Sequence, residues 1–270
     1  MEMNARWELK PGQTYHWTLG VLSVWICRVD GEWLYAWNHR DEDAEPPVDR
    51  LSLVPDTPKP DDLPWTRVIA PDADHGVGFA PRLADRAVVI KGDEYITVLP
   101  RSNAELFAPL PVWVAVFSGA SPERVLFEAP TQPLHRRWFG NSMQGSLCYS
   151  VFARLTSDRV ELELPPVSAL CTIRIRNQSS VPFRTDSVFL QANEFKLYRR
   201  RDADNPFAGL VSSSEVITVT GDNELSFSVA SERAKQQQRA EVELVADWRK
   251  RPDDSWWKRG YVLFQRISNY

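Results

Sequence analysis

Between Leu134 and Thr156 the chain reads LHRRWFGNSMQGSLCYSVFARLT, which sets His135, Ser142 and Cys148 in one short stretch. A hydroxyl or thiol nucleophile needs a base to take its proton, so His135 with Cys148 or Ser142 would be hydrolase chemistry. A nucleophile elbow requires Gly-x-Ser-x-Gly between a strand and a helix. Here Gly140-Asn141-Ser142-Met143-Gln144-Gly145 brings the second glycine one place late, and SLCYSVFARL continues in strand alternation. A catalytic cysteine also needs an electropositive, partly exposed setting. Cys148 instead sits between Leu147 and Tyr149 inside the strand pattern. No catalytic residue is assigned on these grounds, and the chain is expected to be no enzyme.

Other chemistries lack their residues. His16, His39, His75 and His135 are far apart and form no H-x-H or H-x-x-x-H pair. A structural zinc site needs four N or S ligands at recognisable spacing. Asp72-Ala73-Asp74-His75-Gly76 lacks the further acceptors of a calcium loop and reads as an acidic turn. Neither phosphate-cradling glycine motif occurs. No metal and no cofactor is expected. Arg199-Arg200-Arg201 could grip an anion, but reads more simply as a solvated strand end.

Aromatic rings offer binding rather than catalysis. In GEWLYAWN, residues Trp33, Tyr35 and Trp37 share one face of a strand, because alternate side chains point the same way. Such a stripe stacks on a sugar or a base, or fills a core. Trp113 is a fourth candidate ring, and Trp138 and Tyr149 flank the glycines of the opening stretch. We read Trp138-Phe139-Gly140 and Gly145-Ser146-Leu147-Cys148-Tyr149 as a tight connection feeding a central strand, with the rings filling space between sheets or domains. Trp33, Tyr35, Trp37, Trp138 and Tyr149 are the candidate ligand or partner contacts.

The elements that position these residues are strands. VLSVWICRVDGEWLYAWN is two β-rich runs broken by Asp30-Gly31, the signature of a type I′ hairpin. DRAVVIKGDEYITVLP reads as two strands turning at Lys91-Gly92-Asp93. In PLPVWVAVFSG, Val112, Val114 and Val116 oppose Trp113, Ala115 and Phe117, so both faces are apolar and the strand is central. CTIRIRN puts Cys171, Ile173 and Ile175 opposite Thr172, Arg174 and Arg176. VELELPP alternates likewise, and pairing of the two would set Glu161 and Glu163 against the arginines in a charge ladder. EVITVTGDNELSFSV is a hairpin about Gly221-Asp222-Asn223, and EVELVADW is a further strand. Asn38–Pro64 is acidic and proline-rich and reads as a long surface loop, with IAPDADHGVGFAP as further irregular chain. Trp257, Tyr261, Phe264 and Ile267 recur at helical spacing, which suggests a short C-terminal helix. Many short strands and little helix predict a mainly β protein of two β-sandwich-like domains, residues 1–120 and 121–270.

Composition narrows the partners. The formal net charge of −4 is no footprint for nucleic acid. No run approaches the length of a transmembrane helix, so no direct membrane insertion is expected. No secretory signal is visible, and Cys27, Cys148 and Cys171 are widely spaced, as buried free thiols of a reducing compartment would be. The cytoplasm is the expected location.

RAVVIKGDEYITVLPRSNAELFAPLPVWVAVFSG, APTQPLHRRWFGNSMQGSLCYS, CTIRIRNQSSVPFRTDSVFL and FKLYR, in that order, resemble the DUF432 family of uncharacterised bacterial and archaeal proteins. The resemblance spans Gly12–Arg201, and its most specific part is Trp138-Phe139-Gly140 followed by Gly145-x-Leu147-Cys148-Tyr149. Members of that family are encoded beside small-conductance mechanosensitive channel genes. The resemblance therefore implies a soluble accessory of a membrane channel, and it carries over no catalytic residue. The expected function is a non-enzymatic protein that binds a protein partner or a second copy of itself, with an exposed strand edge as the means. A carbohydrate or small-ligand module built on the aromatic rings is the alternative.

Overall fold

The computed structural model describes residues 5–41, 47–70, 76–119, 124–139, 146–221, 225–230 and 241–250. The helix expected at Trp257–Ile267, the Asp72–His75 turn and the Gly140–Gly145 stretch lie outside them.

The chain is mainly β. It begins with β1 (Ala5–Glu8), β2 (Thr14–Gly20), β3 (Leu22–Val29) and β4 (Glu32–His39). β5 (Val48–Val54), β6 (Thr66–Ile69), β7 (Gly76–Arg82), β8 (Val88–Val98), β9 (Ser102–Pro111) and β10 (Trp113–Ser118) follow. Next come β11 (Val125–Pro130), β12 (His135–Phe139), β13 (Ser146–Phe152), β14 (Ser168–Asn177) and β15 (Phe183–Leu190). The last are β16 (Leu197–Arg200), β17 (Leu210–Ser212), β18 (Glu215–Val219), β19 (Leu225–Val229) and β20 (Val242–Ala246). Among the described residues the only helical element is a 3-10 turn at Ala192–Glu194. No helix there is long and apolar enough to cross a membrane.

Four sheets result. The first orders its strands β1-β7-β10-β11, the second β5-β2-β3-β4-β6 and the third β12-β13-β8-β15. The fourth runs β19-β18-β14-β17-β16-β20, with β9 also paired to β14. Strands from both sides of residue 120 share sheets: β10 pairs with β11, β8 with β13 and β15, and β9 with β14.

The β3–β4 hairpin turns where its sequence demands. Val29 faces Glu32 across a two-residue turn, and Asp30 (φ 43°) and Gly31 (φ 81°) both take the positive φ of a type I′ connection. β10 is buried along its whole length between β7 and β11, as its two apolar faces require.

The aromatic residues join the sheets, which gives the sandwich-like stacking. Trp17 of the second sheet meets Phe79 of the first at 5.1 Å, and Trp7 closes on both. Tyr35 stacks on Phe127 at 3.9 Å, again second sheet on first. Trp113 meets Tyr149 of the third sheet at 5.1 Å, and Phe189 of the third meets Phe227 of the fourth at 5.4 Å. Edge and offset contacts of this kind suit the ring quadrupoles. The buried residues form one cluster that draws on all four sheets.

Five expectations need correction. Asn38–Pro64 is not one loop: Asn38 and His39 close β4, and Val48–Val54 is β5, hydrogen-bonded to β2. Its Val-x-x-Leu-x-Leu spacing outweighs the flanking prolines, which lie outside the strand. Gly76–Arg82 is not irregular but forms the central strand β7. Gly78 permits this, since a Cβ there would lie 2.3 Å from the Phe117 ring that packs over it. Lys91-Gly92-Asp93 is no turn, because β8 runs straight through it. The step from Lys91 to Ile96 on β8 is matched on β15 only by Ser187 to Thr185, so the glycine marks a bulge. Gly92 also lies close under Leu155, 3.2 Å from where a Cβ would stand. VELELPP forms no strand; Asp158 instead accepts from the Val160 backbone N–H at 2.8 Å in a local turn, and Val160 is exposed. The expected charge ladder therefore does not form. Arg174 pairs with Glu105 across β9 at 2.9 Å, and Glu161 with Arg154 at 3.2 Å.

Candidate functional site

β12 is the outermost strand of the third sheet, paired antiparallel to β13 on one side only among the described residues. Its sequence is His-Arg-Arg-Trp-Phe, and His135, Arg136, Arg137 and Trp138 are all exposed in succession. Directly opposed residues of paired strands share a face. Arg137 faces Cys148 and Phe139 faces Ser146 on one side of the sheet, while Arg136 faces Tyr149 and Trp138 faces Leu147 on the other.

The first face is secured within the third sheet and the second against β10 of the neighbouring sheet, while no described strand pairs with the outer edge. On the first, Phe139 stacks on the buried Phe189 at 4.7 Å. Cys148 is wholly buried, and its Sγ–H donates to the Arg137 carbonyl at 3.3 Å. On the second, the Tyr149 hydroxyl donates to Asp85 Oδ1 at 2.9 Å beneath Trp113. Burial first, and then Asp85, push the Tyr149 phenol above its ordinary value. Further along that face the cover ends, and Trp138 and Leu147 are 53% and 41% exposed. Trp138 does not fill space between sheets, as expected from its sequence setting. It stands on a sheet margin where packing stops.

Charge sets this edge apart. Arg50, Arg67, Arg82, Arg154, Arg174, Arg199, Arg200 and Arg249 all sit in ion pairs with carboxylates. His135, Arg136 and Arg137 make no ion pair among the described residues. The Arg199–Arg201 run, by contrast, is spent on intramolecular ion pairs: Arg199 and Arg201 engage Glu243, and Arg200 engages Asp202.

The hydrolase pairing finds little help in this geometry. His135 lies diagonal to Cys148 on the same face, since it faces Ser150. Burial pushes the Cys148 thiol up, and Arg137 offsets this only in part. A thiol held protonated is a weak nucleophile. Ser142 lies outside the described residues. All three cysteines are buried and none is in a disulfide. Among the described residues no cluster of three His, Cys, Asp or Glu side chains is placed to hold a metal.

The other aromatic candidates lie elsewhere, Trp33, Tyr35 and Trp37 on the second sheet and Trp113 on the first. Trp33 is 0% exposed and offers no open ring to a sugar or base. Tyr35 and Trp37 are half-buried, the first against Phe127 and the second against His39. Trp113 is buried. Of the five residues named from sequence, Trp138 and Tyr149 share one face of the β12–β13 pair, and Trp33, Tyr35 and Trp37 share one face of β4.

Sequence reading passed over Arg136 and Arg137, although two adjacent arginines beside a Trp were visible. Asn177, the last residue of β14, is a further residue whose role shows only in the structure. That buried amide donates Nδ2 to the carbonyls of Val98 (3.0 Å), Leu99 (3.1 Å) and Val181 (2.9 Å) and accepts from Ser179 N and Oγ. It thereby locks the β8–β9 turn to the β14–β15 turn.

A family profile described as "Protein of unknown function (DUF432)" matches residues 3–265. The chain belongs to the DUF432 family. The match extends the resemblance read from Gly12–Arg201 over nearly the whole chain, β12 and β13 included. A search of the curated proteins found no match, and neither did a search of the solved structures.

Proposed function

We propose that this DUF432 protein is a non-enzymatic interaction protein that takes a segment of a protein partner onto the open edge of β12. The observation that carries the reading is an outermost strand exposed along His135–Trp138 yet fixed from behind by Phe139, Cys148 and Tyr149. An unpaired strand edge presents a row of backbone donors and acceptors, and an incoming extended segment satisfies them. A rigid edge loses little conformational freedom on binding, which favours affinity. Trp138 beside Leu147 supplies the apolar anchor, and Trp is among the residues that dominate interface energetics.

The raised thiol of Cys148 supports a role without covalent catalysis. Three buried cysteines outside any disulfide support a reducing, cytoplasmic setting. An accessory role beside a membrane channel, which the family resemblance implies, fits a protein that works by docking and assigns no further residue.

A photo-crosslinking amino acid placed at His135, at the exposed start of β12, in the full chain expressed in its host, tests this reading with Trp138 left intact. A discrete adduct from His135, absent when the crosslinker stands at the exposed Val160, is the expected result. Equal labelling from both positions, or none from His135, contradicts it.

A further inference from the structure

The identity of side chains along β12 constrains what can lie beside it. Its edge is one of several in the molecule, since β1, β5, β6, β11, β15, β19 and β20 also end sheets. What distinguishes β12 is three consecutive nitrogen bases, His135, Arg136 and Arg137, none ion-paired among the described residues, followed by an exposed Trp138. The protein as a whole carries net charge −4, so this is a local reversal of sign. Charge on an edge strand ordinarily keeps other sheets away. The same charge admits a strand of opposite sign while rejecting neutral and basic ones.

We propose that the β12 edge selects an acidic extended peptide segment, with carboxylates opposite His135, Arg136 and Arg137 and an apolar residue opposite Trp138. The proposal rests on the edge-binding reading above and specifies its partner class. The alternation of β12 dictates the pattern. Arg136 and Trp138 share the face of Leu147 and Tyr149, while His135 and Arg137 share the face of Cys148. A segment lying alongside in register places its side chains on the same two faces. Carboxylates are therefore wanted at three successive positions, on both faces, and an apolar side chain at the next, beside Trp138 and Leu147. Arginine suits this task, because its planar fork meets a carboxylate through two parallel hydrogen bonds. A nucleic acid strand would satisfy the charge, but it cannot continue the backbone hydrogen bonding of a sheet.

The test uses the full chain and fluorescein-labelled ten-residue peptides read by fluorescence anisotropy. One probe carries Leu with three consecutive Asp or Glu on each side of it, so that it can pair with β12 in either direction, a second has Thr in place of the acids, a third has Lys, and the fourth probe is single-stranded RNA. The acidic peptide is expected to bind at least about tenfold more tightly than the neutral one, with affinity falling as salt screens the charges. Arg136→Glu with Arg137→Glu is expected to abolish that preference, and Arg136→Lys with Arg137→Lys to keep part of it. Circular dichroism of each variant guards against simple unfolding. Equal binding of acidic and neutral peptides overturns the acidic preference and leaves the edge reading standing. Binding of no peptide overturns both. Binding of RNA in preference to the acidic peptide overturns the assignment of a peptide partner. Self-association of the unliganded protein that the double Glu variant abolishes also overturns it, in favour of a second copy.

Discussion

Trp138 stands directly across from Leu147 in the β12–β13 pair, and both apolar side chains are exposed where the cover of the third sheet ends. Trp33, at the start of another strand, is sealed in the core. The two tryptophans should therefore respond oppositely to truncation. Trp33→Ala is expected to cost about 3–5 kcal/mol in urea unfolding, the usual cost of a large buried side chain. Trp138→Ala is expected to change stability by less than about 0.5 kcal/mol while removing partner binding. Equal losses of stability would place Trp138 in a packing role.

Asn177 spends its whole amide on the protein: three donated bonds to Val98, Leu99 and Val181 and two accepted from Ser179. Replacement by Ala removes the Nδ2 donor from all three carbonyls and the acceptor from Ser179, although Leu99 still accepts from Ser102 Oγ and Val181 from Ser179 Oγ. Asn177→Ala is expected to lower stability by roughly 2 kcal/mol or more. Asn177→Asp should also destabilise, because a carboxylate cannot donate to those carbonyls. Wild-type stability in the Asp variant would contradict the assigned roles.

His39 ends β4 with Nε2–H donating to the Pro130 carbonyl at 2.9 Å. Burial holds its imidazole below the ordinary value of 6.5, with the Pro130 bond offsetting part of that effect. The folded protein thus binds a proton less readily than the unfolded chain. The contribution of His39 is fully present above pH 6.5 and is lost as pH falls below it. Urea titrations between pH 5 and 8 should show a shallower acid-side decline in His39→Gln than in wild type. Parallel profiles would remove His39 from the account.

Glu215 opens β18 at 0% exposure, with Oε2 accepting from the Gln191 backbone N–H at 3.0 Å. Burial drives its carboxyl well above the ordinary 4.5, a direction that Glu194 reinforces and the backbone bonds from Gln191 and Ser228 oppose. Here the sign is reversed from that of His39. The folded state holds a proton that the unfolded chain gives up, so stability falls as pH rises above 4.5. Glu215→Gln is expected to be more stable than wild type at pH 8, with the advantage shrinking towards pH 4.5. An advantage independent of pH would contradict a neutral buried acid.

Much of this fold was legible in the chain. Asp30-Gly31 specified its hairpin, and β10 and β14 were readable from which residues alternate. What escaped was set by contacts distant in sequence. β7 reads as loop because Gly78 and Pro81 hide it, and only the Phe117 ring packed on Gly78 explains them. β5 was obscured by prolines beyond its ends. VELELPP alternates well yet pairs with nothing, since two prolines and an Asp158 turn leave it no neighbour. Trp138 and Tyr149 are read from sequence both as space-filling rings and as candidate contacts; Trp138 proves 53% exposed on the outermost strand, whereas Tyr149 packs under Trp113. That β12 lies outermost depends on β13 pairing in parallel with β8, a choice no local pattern encodes.

Amide hydrogen exchange of residues 135–139 with and without a saturating acidic peptide tests the strand-addition claim most directly. Addition of a strand predicts slowed exchange confined to the outward amides of β12, with β6, another exposed edge, unchanged. Peptide binding that leaves every β12 amide exchanging at its free rate would contradict it.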